Sequence, residues 1–132
     1  MAARAGRAAQ RTNMPLQGQR ILLVEDDPLT ALQLQEALDS AGAEIAVATT
    51  LHEANELSGG NLAAAVLDVN LDGEMSQEVA ERLIARKVPV VFATGYDAAT
   101  ILPEHLRAVP TLQKPIDTGA LVQKLLELTA QR

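Results

Sequence analysis

From Arg20 onward the chain alternates between short apolar runs and stretches in which apolar residues recur three and four positions apart. The runs Ile21–Val24, Ile45–Ala48, Ala64–Leu67 and Val90–Ala93, with a brief one at Thr111–Gln113, predict five strands,. The intervening stretches predict helices. After the first run, Asp27 stands where an N-cap belongs and Pro28 at the first helical position. Ala31, Leu34, Leu38 and Ala41 then follow at helical spacing before Gly42 closes the turn,. Thr50 and Glu53 can form a capping box that opens a second helix, running to Gly59–Gly60,. A third carries Val79, Ala80, Leu83 and Ile84 on one face and ends before Pro89,. The last begins near Asp117 and carries Leu121, Val122, Leu125 and Leu128,. Between the fourth and fifth strands, Pro103 and Pro110 interrupt the pattern and Ala98–Leu102 spans barely one turn, so a short or irregular fourth helix is expected there. Strands and helices in alternation predict an α/β fold with a doubly wound five-stranded parallel sheet. Ligands of such sheets bind beyond the carboxyl ends of the strands.

Composition narrows the function. Apolar residues make up 48% of the 132 positions and aromatics only 2%, so the core is built from Leu, Val, Ile and Ala, as buried parallel sheets usually are,. The net charge is −6, yet Arg4, Arg7 and Arg11 fall in the first eleven positions, where no acid stands; without those three the charge is −9. So acidic a surface argues against direct contact with nucleic acid, which needs clustered Lys and Arg. The chain has no cysteine, which excludes disulfides, a thiolate nucleophile and a Cys-type zinc cluster,. Residues 1–18 lack the apolar stretch of a signal peptide or membrane span and are expected to form a disordered leader to a domain over 19–132,. An Arg-rich transit peptide is the rival reading of that segment, and Met14 offers an alternative start. A cytoplasmic setting without membrane contact is expected.

The residues just after each strand carry the chemistry. They are Glu25-Asp26-Asp27, then Asp68, then Thr94-Gly95, then Lys114-Pro115. Carboxylates of Glu25, Asp26 and Asp68 at one end of a sheet repel, by about 4 kcal/mol for a pair about 4 Å apart at an effective dielectric near 20. A counter-ion is therefore expected. Mg²⁺, or Mn²⁺, suits an all-oxygen site that also takes a phosphate oxygen. Asp68 can then act as a nucleophile that forms an acyl phosphate, with Lys114 a fixed positive charge and Thr94 a hydroxyl donor toward the phosphoryl oxygens.

These residues resemble the receiver domain of two-component response regulators over essentially residues 20–129. Ile21-Leu22-Leu23-Val24-Glu25-Asp26-Asp27 looks like that family's first strand and acidic pair, Leu67-Asp68-Val69-Asn70-Leu71 like its phosphoacceptor strand, and Lys114-Pro115 like its Lys-Pro turn. The resemblance implies a flavodoxin-like receiver fold with strand order 2-1-3-4-5. It implies that Asp26 and Asp68 ligate the metal directly, Glu25 through water and Asn70 through its backbone carbonyl. It also implies that Lys114 grips the phosphoryl group, a cis bond to Pro115 placing it. Phe92-Ala93-Thr94-Gly95-Tyr96 further resembles the signature of stand-alone receivers of the FATGUY type. The implied function is a single-domain response regulator that takes its phosphoryl group from a histidine kinase or histidine phosphotransfer protein. It would catalyse only its own phosphorylation and dephosphorylation, and would signal to a downstream protein by reshaping residues 94–110. Receivers commonly carry an aromatic switch residue three positions before the lysine, where Thr111 stands here, so Gly95, Tyr96 and Pro115 are expected to share the switch with Thr94.

Taken singly, each of these features has a plainer reading. Glu25-Asp26-Asp27 could be a solvated acidic turn, Asp68 a capped turn with Leu71-Asp72-Gly73, and Lys114-Pro115 a loop. Asp68-Val69-Asn70 is also superficially similar to the nucleophile motif of haloacid-dehalogenase-like phosphatases, although that motif follows the first strand. A receiver-like binding module that signals without phosphorylation is the other alternative. His52 and His105 stand in polar surroundings and receive no role.

Overall fold

The computed structural model describes residues 14–95 and 101–130. Its main sheet comprises β1 (Arg20–Val24), β2 (Glu44–Ala48), β3 (Ala64–Asp68), β6 (Val90–Thr94) and β7 (Thr111–Gln113). A two-stranded hairpin of β4 (Asn70–Leu71) and β5 (Glu74–Met75) lies between β3 and the third helix. The helices are α1 (Pro28–Ser40), α2 (Leu51–Leu57), α3 (Gln77–Ala85) and α4 (Thr118–Ala130). All pairings in the main sheet are parallel and its order is β2-β1-β3-β6-β7, which is 2-1-3-4-5 when only its own strands are counted.

Both faces of the sheet are covered, which is why its central strands are unbroken apolar runs. Along β1 the side chains alternate. Leu22 and Val24 join Leu67 and Phe92 beneath Ala54 of α2 and Val79 and Leu83 of α3. Ile21 and Leu23 join Val66 and Val91 beneath Leu34 and Leu38 of α1 and Leu121 and Leu125 of α4. The expected caps start the first two helices. Asp27 accepts the Thr30 amide at 3.0 Å. Thr50 Oγ1 accepts the Glu53 amide at 3.1 Å. Glu53 reaches back one residue further than a capping box predicts, accepting the Thr49 amide at 3.0 Å and the Thr49 hydroxyl at 2.9 Å, and these donors hold its carboxyl below the usual range,.

Two features differ from expectation. The hairpin gives no periodic signal, because each strand has only two residues; its tip, Asp72-Gly73, has φ of 51° and 91°, the double positive φ of a two-residue hairpin turn,. Residues 14–18, expected within the leader over residues 1–18, belong to the folded body. Leu16 is fully buried among the residues under α1 and α4. Its amide donates to Ala41 O at 2.8 Å, and the Glu44 amide donates to Gln19 O at 2.9 Å. Gly42, at φ 93°, lets Gln17 approach, since a Cβ there would sit 2.9 Å from Gln17 Oε1 and 3.0 Å from its Cα,. Residues 1–13 lie outside the described residues, as does part of the expected Ala98–Leu102 helix. Between Leu102 and β7 the chain is irregular, with a single 3₁₀ turn at Glu104–Leu106.

Candidate functional site

The strand order sets the site. With β1 and β6 flanking β3, Glu25, Asp68 and Thr94 emerge side by side at the carboxyl edge, and β7 delivers Lys114 from the far side of β6. Glu25, Asp26 and Asp68 each present a carboxylate oxygen within 4.8 Å of the others. Lys114 Nζ lies 2.8 Å from Glu25 Oε1 and donates to Asp68 Oδ2 at 3.0 Å. Its backbone amide donates to Thr94 O at 2.8 Å, which ties the lysine to the end of β6. The Lys114–Pro115 peptide is cis.

Glu25 is 1% exposed. Its Oε2 accepts the Asp27 amide at 3.1 Å. Oε1 has the lysine in ion-pair contact but no aligned hydrogen bond. Burial pushes this carboxyl up to about 7; the lysine pulls the other way, and shared hydrogen bonding with Asp68 adds to the rise,. Burial alone would lower the Lys114 ammonium, but its two carboxylate partners outweigh it and hold the group above its ordinary value,. A buried carboxylate oxygen without an aligned donor, beside two more carboxylates, is a donor set of the hard, oxygen-only kind that suits Mg²⁺. The residues present therefore fit that ion.

Further contacts fix the nucleophile candidate. The Asn70 amide donates to Asp68 Oδ1 at 3.2 Å. Asn70 Oδ1 in turn accepts the Gly73 amide at 2.7 Å across the hairpin tip. Asp68, Thr94 and Lys114 line an open cleft of about 490 Å³ together with Asn70, Asp72, Gly73 and Gly95. A second cleft of about 540 Å³ opens on the other side of the hairpin past Asp26 and Asp27. Asp72 lines both. Thr94 itself is buried at the cleft floor, and Gly95 is exposed at its edge. Tyr96, the remaining switch candidate, lies outside the described residues. Thr111 is exposed beside Phe92 in register.

Glu25, Asp26, Asp68, Thr94 and Lys114, which share positions just after strands in the sequence, lie together at one end of the sheet. Ser76 has no such signal, yet its buried hydroxyl donates to Asp68 O at 2.7 Å. A serine just before Gln77 reads as an N-cap, yet this hydroxyl makes no cap bond and turns back to β3.

The response regulator receiver domain profile matches residues 21–126. The chain belongs to that family. Among relatives, the transcriptional regulatory protein TcrA of Mycobacterium tuberculosis is 39% identical over 131 residues, covering 96% of this chain and 52% of TcrA. The chain thus spans about half the length of that curated relative. The solution structure of SdrG from Sphingomonas melonis Fr1 is 37% identical with a TM-score of 0.71, covering 85% of this chain and 96% of that one. A response regulator receiver protein from Sinorhizobium medicae is alike in fold, with a TM-score of 0.77 at 22% identity over 87% of this chain and 97% of its own.

Proposed function

We propose that this chain is a single-domain response regulator that accepts a phosphoryl group on Asp68 from a histidine kinase or histidine phosphotransfer protein. The observation that carries this reading is the placing of the Asp68 carboxylate, held between a lysine at 3.0 Å and the Glu25–Asp26 pair and opening on a cleft. Glu25, Asp26 and Asp68, with the Asn70 carbonyl, would hold Mg²⁺ or Mn²⁺, which when bound neutralises charge on the transferring phosphoryl group. Attack by a carboxylate oxygen of Asp68 on phosphorus forms the acyl phosphate and breaks the P–N bond to the donor imidazole, which takes one proton from solvent at its other ring nitrogen and leaves as neutral imidazole. Lys114 and the Thr94 hydroxyl are the cation and the donor for the phosphoryl oxygens. The chain would thus act only on itself, not on a separate substrate.

The stand-alone architecture rests on the Phe92–Tyr96 motif. The transcriptional role belongs to the longer TcrA. An acidic surface favours protein partners over direct nucleic-acid contact, and a phosphohistidine donor favours the cytoplasm,.

Incubating the protein with acetyl phosphate and Mg²⁺ tests the assignment. Stoichiometric, acid-stable and base-labile labelling is expected for wild type and none for Asp68→Asn. Equal labelling of the two would sink it.

A further inference from the structure

Ser76 is 0% exposed and sits at the N-terminus of α3, yet its side chain serves β3. The pairing of β3 with β1 ends at Val24 and Leu67, so Asp68 lies one residue beyond the last β1 partner. Ser76 Oγ donates to the Asp68 carbonyl at 2.7 Å and approaches that of Val69 at 3.3 Å, while the Ser76 amide donates to Val69 O at 3.0 Å. One serine thus closes the chain from 68 to 76 at its base. The hairpin within that loop carries Asn70, whose amide holds Asp68 Oδ1.

We infer that Ser76 is a positioning residue for the phosphoacceptor, fixing through the Asp68 carbonyl both the Asp68 carboxylate and the Asn70 backbone that flanks the acidic site. Removing its hydroxyl leaves the buried Asp68 carbonyl short of a donor, and the loop base relaxes to satisfy it,. The carboxylate then no longer stands where Lys114 and the Glu25–Asp26 pair meet it. This inference rests on the phosphoacceptor reading above for its effect on rate, whereas its effect on cation binding does not require phosphorylation.

The test compares wild type, Ser76→Ala and Ser76→Thr for Mg²⁺ affinity, for the rate constant of phosphorylation by acetyl phosphate at saturating Mg²⁺, and for thermal midpoint. Ser76→Ala is expected to bind Mg²⁺ about ten-fold more weakly and to be phosphorylated about ten-fold more slowly, as loss of an outer partner or a small misplacement of a reacting group produces. Ser76→Thr, which keeps the hydroxyl, recovers both. A Ser76→Ala protein that merely melts earlier, with wild-type affinity and rate, overturns the inference, as does a Ser76→Thr protein that recovers neither. Should wild type take up no Asp68-dependent phosphoryl group, the proposed function fails by itself. Ser76 is then judged on Mg²⁺ affinity alone, where a loss in Ser76→Ala regained in Ser76→Thr upholds it and equal affinities overturn it.

Discussion

Glu25 carries the electrostatic tension of the site, a carboxyl buried at 1% exposure with its pKa pushed up to about 7. A folded-state value above the unfolded one means that this carboxyl binds its proton more tightly in the folded chain, so its own contribution to the stability of the metal-free protein falls as pH rises from about 4.5 through about 7,. Glu25→Gln removes that penalty. In EDTA its melting midpoint is expected to exceed that of wild type by a few degrees at pH 8, on the order of 1 kcal/mol, and to match it near pH 4.5. Thermal melts at the two pH values check this, and a wild-type midpoint equal to or above that of the variant at pH 8 would refute it. At this scale the sequence is informative wherever a residue's position relative to a strand end determines its place. Asp68 and Lys114 are 46 positions apart, yet each stands at or just past the end of a strand of one parallel sheet, so topology alone brings them to 3.0 Å. Ser76 is illegible because its role depends on where a hairpin folds back, not on any spacing.

Elements are legible in proportion to their length. Each central strand of the main sheet is a run of apolar residues buried on both faces, and the first two helices announce themselves by caps. The β4–β5 hairpin has only the Asp72-Gly73 dipeptide to signal it, and that pair reads equally well as a capped turn. α2 shows how much a short element owes to its start. With seven residues it has little intrinsic stability, and the Thr50 hydroxyl satisfies one of its free amides,. Thr50→Ala is expected to cost about 1 kcal/mol. Urea unfolding measures it, and a loss below a few tenths would show that Thr49 and Glu53 hold the helix start without the cap.

The fold as a whole extends further toward the N-terminus than the hydrophobic pattern suggests. A single leucine among polar residues has no period, so Leu16 gives no signal, but it completes the layer beneath α1 and α4. Leu16→Ala is expected to destabilise the protein by about 2–4 kcal/mol, the range for truncating a buried leucine. Chemical denaturation decides the matter, a change under about 1 kcal/mol meaning that residues 14–18 contribute little to the core. Leu16 also bonds Ala41, just ahead of β2, and in a parallel sheet all strands begin at one pole. Glu25, Asp68 and Lys114 stand at the other. A fluorophore or affinity handle attached at Met14, which is partly exposed, therefore reports on or immobilises the protein from its far end, leaving the acidic cleft open to ions, phosphodonors and partner proteins.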